Sequence, residues 1–262
     1  MKIRAIPEKI YEWHLKKSIR HVPGHIAIIM DGNRRYASIL GKNTAFGHSM
    51  GAETTERVLE WARDIGVRSI TLYTFSTENF SRSEEELSEL FSLFTRKFGS
   101  VRSDERFHAN GICLRVVGDR SRIPAPLLAT IEDAEAATRD YDRFFLNIAL
   151  AYGGRNEIIR SAQGILEDER EGRIRPDEIT AAMVEEKICA DTHLAPVDLI
   201  IRTGNEQRTS NFLPWLANGY ESAVYFCAPY WPLFRKIDLL RGIRVYNDRV
   251  RNHHLPNRRV RI

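Results

Sequence analysis

A chain of 262 residues, 43% hydrophobic and 28% charged, has the make-up of an ordinary globular protein and enough length to bury a sizeable core. No apolar run approaches the roughly 18 residues of a membrane span, no long apolar stretch follows the basic N-terminus, and Cys113, Cys189 and Cys227 are scattered; no transmembrane helix, secretory signal or disulfide framework is expected. The net charge of +4 is drawn largely from C-terminal arginines (Arg241, Arg244, Arg249, Arg251, Arg258, Arg259, Arg261), and with no zinc-finger or aromatic RNA-binding motif beside them a solvated or dimer-contacting tail is expected, not a nucleic-acid surface.

In chain order, residues 1–22 read as a helical arm, broken by Pro23-Gly24. Ile26 to Met30 is a short apolar run of the kind found in a strand buried on both faces. It stops at Asp31-Gly32-Asn33, which suits a tight turn, and Arg34 and Arg35 follow. A polar loop is expected over 37–46 and a helix over 49–65, stopped by Gly66. Ser69 to Phe75 is rich in β-formers and ends in Ser76-Thr77-Glu78-Asn79, with Arg82 beyond. Ser83 before three glutamates marks a helix start, and that helix puts Leu87, Leu90, Phe91, Phe94 and Phe98 on one broad face. Strands are expected at 112–118, 144–150, 197–201 and 223–226, and helices at 125–138, 156–169, 177–188 and 237–251.

Strands alternating with helices predict one α/β domain built on a central, mainly parallel sheet, with ligands bound outside the carboxyl ends of the strands. Three of those ends carry polar clusters: Asp31 to Arg35, Ser76 to Asn79 with Arg82, and Arg202 to Ser210. A carboxylate, exposed backbone N–H groups and several guanidiniums suit a metal-bound polyanion, with Asp31 and Glu221 as Mg²⁺ ligands and Arg202, Arg208 and Ser210 as diphosphate donors. Neither a Walker loop nor Gly-x-Gly-x-x-Gly is present, so the polyanion is not expected to be held as a nucleotide is.

The sequence resembles the cis-prenyltransferases typified by undecaprenyl diphosphate synthase over roughly residues 23–235. The resemblance is carried by Met30-Asp31-Gly32-Asn33-x-Arg35, Ala45-Phe46-Gly47-His48, Phe75-Ser76-Thr77-Glu78-Asn79, Asn147-Ile148-Ala149, Tyr152-Gly153-Gly154-Arg155 and Asp198 to Gly204. It implies a Mg²⁺-dependent, usually homodimeric enzyme that condenses isopentenyl diphosphate with an allylic prenyl diphosphate, releases pyrophosphate and forms a Z double bond, with a hydrophobic tunnel for a product that partitions to membranes. It implies that Asp31 works with the metal, that Gly32, Asn33, Arg35 and His48 hold the allylic diphosphate, and that Ser76 and Asn79 lie near the reacting carbons. Thr77, Glu78 and Arg82 join the substrate-binding set, as do Arg202, Arg208, Thr209 and Ser210 on the isopentenyl side, and Glu221 takes a metal position. The Leu87 to Phe98 face becomes a tunnel wall. The division implied is an arm at 1–22, a catalytic domain at 23–252 and a basic tail at 253–262, in a cytoplasmic protein that is peripheral at the membrane surface.

Departures from the family pattern fall in the allylic site. Arg34 stands where glycine is usual and Thr44 where arginine is usual, so that Arg34 either supplies the missing charge from another direction or admits an unusual acceptor. Tyr36 and Phe80 replace tryptophans and keep aromatic walls, Gln207 replaces a histidine, and the usual Arg-x-Gly near the C-terminus is missing. The alternative reading is a non-catalytic partner subunit of a heteromeric cis-prenyltransferase, against which the retained Asp31, Asn79, Arg202, Arg208 and Ser210 argue.

Overall fold

The structure, a computed structural model, describes residues 7–217 and 222–253. Six strands, β1 (His25–Ile29), β2 (Ser69–Ser76), β3 (Ile112–Val117), β4 (Phe144–Tyr152), β5 (Leu199–Arg202) and β6 (Ala223–Phe226), form one wholly parallel sheet in the order β3-β4-β2-β1-β5-β6. The apolar run before Asp31 is β1, and it is buried on both faces because it lies between β2 and β5. Alternate residues serve alternate faces. Ile26 and Ile28 enter one core with Val58 and Ala62 of α3 (Thr44–Ile65) and with apolar residues of α4 (Glu84–Val101), α6 (Ala125–Thr138) and α9 (Lys236–His253). Ala27 and Ile29 enter the other with Ile158 of α7 (Gly154–Arg170) and Ile188 of α8 (Ala181–Thr192).

A buried polar chain pins the register of the central strands. His25 is fully buried; its Nδ1 lies 2.8 Å from the Ala195 carbonyl and its Nε2 2.7 Å from Thr71 Oγ1. A carbonyl only accepts, so Nδ1 carries the proton and Nε2 accepts from the Thr71 hydroxyl, which in turn accepts from Asn147 Nδ2 at 3.2 Å. Burial drives the His25 pKa down to about 4, keeping the ring neutral.

The structure differs locally from the sequence expectation in four places. The loop expected over 37–46 shrinks to residues 40–43: α2 (Asn33–Ile39) starts at once behind Gly32, whose φ of +108° makes the turn into it. Helix α3 starts at Thr44, not at 49, with the Asn43 side chain accepting from Phe46 N–H as its cap. Gly47 and Gly51 hide that start, because glycines usually argue against helix; here they let α2 close in, and a Cβ on Gly47 would lie 2.2 Å from the Asn33 carbonyl oxygen. The segment Pro176–Glu178 is a separate turn, so α8 begins at Ala181, and a short α5 (Glu105–Asn110) precedes β3. The N-terminal arm contains α1 (Glu8–Ser18), docked on α9 through buried Leu15.

Candidate active site

Because β2, β1 and β5 are neighbours, their carboxyl ends bring the three polar clusters to one cleft. Asp31 leaves β1 in the middle of it. Arg202 at the end of β5 donates from Nη2 to Asp31 Oδ2 at 2.9 Å, and Arg35 donates to Oδ1 at 3.1 Å. The Arg202 side chain is only 5% exposed, so its charge depends on these partners, and its Nη1 is held by Ser210 Oγ and the Arg208 carbonyl, both at 2.7 Å. The Asp31 backbone is fixed as firmly: its carbonyl accepts from Thr203 Oγ1 at 2.7 Å and from Trp231 N–H at 3.0 Å. Gly204, at φ +82°, lets the β5 loop pass close under Arg35 and Asp31; a Cβ there would lie 2.8 Å from Arg35 Nη2. Glu206 pairs with both Arg35 and Arg208 across the cleft wall.

A second carboxylate organises the other side. Glu86, in the first turn of α4 and almost wholly buried, accepts from Arg82 at 2.9 Å and lies 3.2 Å from His48 Nε2 and 3.8 Å from Arg34 Nη1. A carboxylate only accepts, so His48 donates from Nε2. Burial holds the His48 pKa below its ordinary value, outweighing the opposite pull of Glu86, and the ring is neutral at pH 7. Burial also lowers the Arg82 value, against the attraction of Glu86. At the end of β2, Asn79 Oδ1 accepts from Ser76 N–H at 3.0 Å. Glu78 accepts from Asn211 Nδ2 at 3.0 Å, and Asn211 Oδ1 accepts from Arg155 N–H at 2.8 Å, tying the β2, β4 and β5 loops together. Burial presses the Glu78 pKa upward, but its hydrogen bonds from Ser76 and Asn211 prevail and lower it.

Met30, Asn33, His48 and Thr74 border both this cleft and a second, apolar cavity. The apolar cavity runs between Ala52, Thr55 and Leu59 of α3 and Leu90, Phe94 and Phe98 of α4, over Leu72 and Ile148 of the sheet. Its far end is ringed by charge: Glu56 takes Lys97 at 2.7 Å and Arg106 at 2.9 Å, and Arg106 pairs with Asp104. The broad face of α4 is thus shared between two surfaces. Leu90, Phe94 and Phe98 line the tunnel, whereas Leu87 and Phe91 turn into a shallow groove against α6.

Of the residues singled out in the sequence, Asp31, Gly32, Asn33, Arg34, Arg35, His48, Ser76, Glu78, Asn79, Arg82, Arg202, Arg208 and Ser210 line the cleft. Five others do not. Tyr36 stacks on Phe46, and Thr44 bonds Glu89 from the start of α3. Thr77 packs where a Cβ on Gly153 would fall, and Phe80 packs on Phe75 under the Arg122 guanidinium. Thr209 lies in the β5 loop outside the cleft wall. Glu221 and the tail from residue 254 onward lie outside the described residues. Sequence reasoning missed Glu86, which read only as a first-turn helix acid, Glu206, which sits unremarked in the third polar cluster, and Asn211 just beyond it; the signal for the acids was the surplus of arginines, which needs buried carboxylates among them.

Residues 29–254 match the family described as "Putative undecaprenyl diphosphate synthase". A tritrans,polycis-undecaprenyl-diphosphate synthase (geranylgeranyl-diphosphate specific) of Methanosarcina mazei is 49% identical over 243 residues, 91% of this chain and 82% of that one. One of the same name from Archaeoglobus fulgidus is 49% identical over 243 residues, covering 92% and 96% of the two chains. Among solved structures, lavandulyl diphosphate synthase from Lavandula x intermedia, in complex with dimethylallyl diphosphate, superposes with a TM-score of 0.81 at 31% identity, covering 86% of this chain and 95% of that one. The chain belongs to the cis-prenyltransferases of the undecaprenyl diphosphate synthase family. It is a transferase that condenses isopentenyl diphosphate with an allylic prenyl diphosphate to build a polyprenyl diphosphate, and enzymes of this family generally use Mg²⁺. Nothing in these likenesses supports an unusual acceptor or a non-catalytic partner subunit.

Proposed function

We propose that the allylic substrate is geranylgeranyl diphosphate and that successive condensations give a tritrans,polycis-undecaprenyl diphosphate. The name shared by the Methanosarcina mazei and Archaeoglobus fulgidus relatives supports this choice of starter. The observation that carries the reading of the site is the cleft of paired guanidiniums and Asp31 opening directly into an apolar tunnel. One substrate end is a polyanion and the other a hydrocarbon, and the two cavities meet that division.

In this reading Gly32, Asn33, Arg34, Arg35, His48 and Arg82 hold the allylic diphosphate, and Arg202, Arg208 and Ser210 hold isopentenyl diphosphate. The guanidiniums stabilise the charge that collects on the departing pyrophosphate. Ser76 and Asn79 flank the reacting carbons, where the Ser76 N–H bond fixes the Asn79 amide for proton removal. The tunnel walls keep water from the allylic cation.

Asp31 would hold Mg²⁺. Its carboxylate is 28% exposed to the cleft, and no cluster of three or more acidic, histidine or cysteine ligands exists among the described residues. That donor set fits a magnesium ion bound by one or two carboxylates and by substrate phosphates, not by a protein cage. When bound there it neutralises diphosphate charge and aids loss of pyrophosphate. The working assembly in this reading is a homodimer in the cytoplasm; exposed Ile159 and Leu166, two turns apart on α7, offer an apolar stripe to a second copy.

Incubation with isopentenyl diphosphate, Mg²⁺ and dimethylallyl, farnesyl or geranylgeranyl diphosphate tests the starter. The geranylgeranyl compound is expected to give the highest kcat/KM; preference for either shorter starter contradicts the choice.

A further inference from the structure

Helix α1 has an inward and an outward face, and only the inward one is accounted for. Leu15 is buried on Ile237 and Leu240 of α9, with Tyr11, Ile19 and Ile65 packed around them. The outward face shows Ile10 and Trp13, 56% and 58% exposed although both are large and apolar. The Lys17 ammonium stands 4.3 Å above the Trp13 ring. Charge is sorted between the faces. The acids of α1, Glu8 and Glu12, reach Arg235 and Lys236 at the start of α9 at 3.3 and 3.6 Å. Lys9, Lys16 and Lys17 are exposed and pair with no acid among the described residues. An exposed tryptophan and isoleucine bordered by unpaired lysines match a helix lying at a membrane–water interface, with the ring at headgroup depth and the ammoniums on lipid phosphates.

Position supports the same occupant. Beyond its charged ring the tunnel continues as a groove past Phe107 to Glu60 and Arg63 of α3. Ile65, at the end of α3, is the residue that packs into the α1 cluster. The groove beyond the tunnel and the α1 cluster therefore share the C-terminal end of α3.

We infer that the outward face of α1, built on Ile10, Trp13, Lys9, Lys16 and Lys17, is a docking surface for an anionic lipid bilayer, the membrane that receives the polyprenyl product. This rests on the polyprenyl-product reading for its purpose, though not for its geometry.

Co-sedimentation of the full chain tests it, with vesicles of pure phosphatidylcholine and of phosphatidylcholine mixed with an equal share of phosphatidylglycerol. The wild type is expected to pellet with the mixed vesicles and to partition about tenfold less onto the neutral ones. The pairs Ile10→Ser with Trp13→Ser, and Lys16→Glu with Lys17→Glu, should each lower partition onto mixed vesicles about tenfold, with turnover in solution unchanged. Wild type left in the supernatant, equal partition onto both vesicle types, or undiminished pelleting of either variant overturns the inference. Vesicle binding that fails while isopentenyl diphosphate is still turned over refutes the docking surface alone; absent turnover counts against the functional reading instead.

Discussion

Arg202 and Asp31, 171 positions apart, meet at 2.9 Å because β5 and β1 are adjacent parallel strands that end side by side. The pair holds the site in a charged but neutralised state. Each oxygen of Asp31 receives one guanidinium, from Arg202 or Arg35, and Arg202 is anchored at its other nitrogen by Ser210 and the Arg208 carbonyl. A diphosphate entering the cleft meets arginines already aimed by carboxylates, so little side-chain ordering remains to be done on binding.

Arg202→Lys keeps the charge and loses the fork. One ammonium cannot bond Asp31, Ser210 and the Arg208 carbonyl with the geometry of a planar guanidinium. The expected outcome is a KM for isopentenyl diphosphate raised by about tenfold or more, with the KM for the allylic diphosphate changed far less. Equal effects on both would show that Arg202 does not belong to one subsite.

Glu86 is expected to act as a positioning residue for Arg82, His48 and Arg34. Glu86→Gln keeps the shape of the side chain and removes the charge that orients them. The KM for the allylic diphosphate should rise by about three- to tenfold while that for isopentenyl diphosphate holds. Glu86→Asp should recover part of the loss. Steady-state kinetics with each substrate varied in turn decide the matter, and an unchanged allylic KM contradicts the assignment.

Ala52 lies on the tunnel wall halfway along α3, and the Glu56–Arg106 pair closes the far end. Ala52→Phe fills space that the growing chain needs, so the product distribution should move to shorter chains. Removing the closure with Arg106→Ala should move it to longer ones. Reversed-phase chromatography of the dephosphorylated products reads both shifts, and unchanged lengths in both variants would mean that the chain does not grow through this cavity.

His25 makes stability depend on pH. Its pKa is about 4 in the folded protein and near 6.5 when unfolded, so the unfolded state binds the extra proton. The stabilisation is present above about pH 6.5 and is lost as pH falls toward 4. Between pH 7 and pH 5 this one group should cost on the order of 2 kcal/mol. His25→Asn removes the titration, and its urea-unfolding curves should show a shallower pH dependence over that range; parallel slopes for variant and wild type contradict the account.

The strands were legible because each is a short apolar or β-rich run bounded by turn residues, and parallel packing buries both faces of the central ones. The convergence of the strand-end clusters could be read from the α/β alternation alone, since ligands gather at carboxyl ends. Helix α2 and the first turn of α3 could not: Gly47 and Gly51 look like breakers until the close approach of Asn33 explains them, and Gly32 until its positive φ and the close approach of Tyr230 do. Helical periodicity gave the apolar face of α4 but could not divide it between tunnel and groove, a split fixed by where α3 and α6 lie. Glu86 was hidden for a similar reason. An acid in a first helical turn is normally solvated, and only the fold brings Arg34, His48 and Arg82 around it.

The most direct test of the cradle is isopentenyl incorporation by Asp31→Ala beside the wild type, with geranylgeranyl diphosphate as starter and with Mg²⁺ present or chelated. The wild type should make polyprenyl diphosphate only with Mg²⁺, and Asp31→Ala should lose about a thousandfold or more in kcat while circular dichroism shows it still folded, with a urea midpoint lowered by the loss of the partner of buried Arg202. A folded Asp31→Ala protein that retains turnover within about tenfold of the wild type would contradict the account.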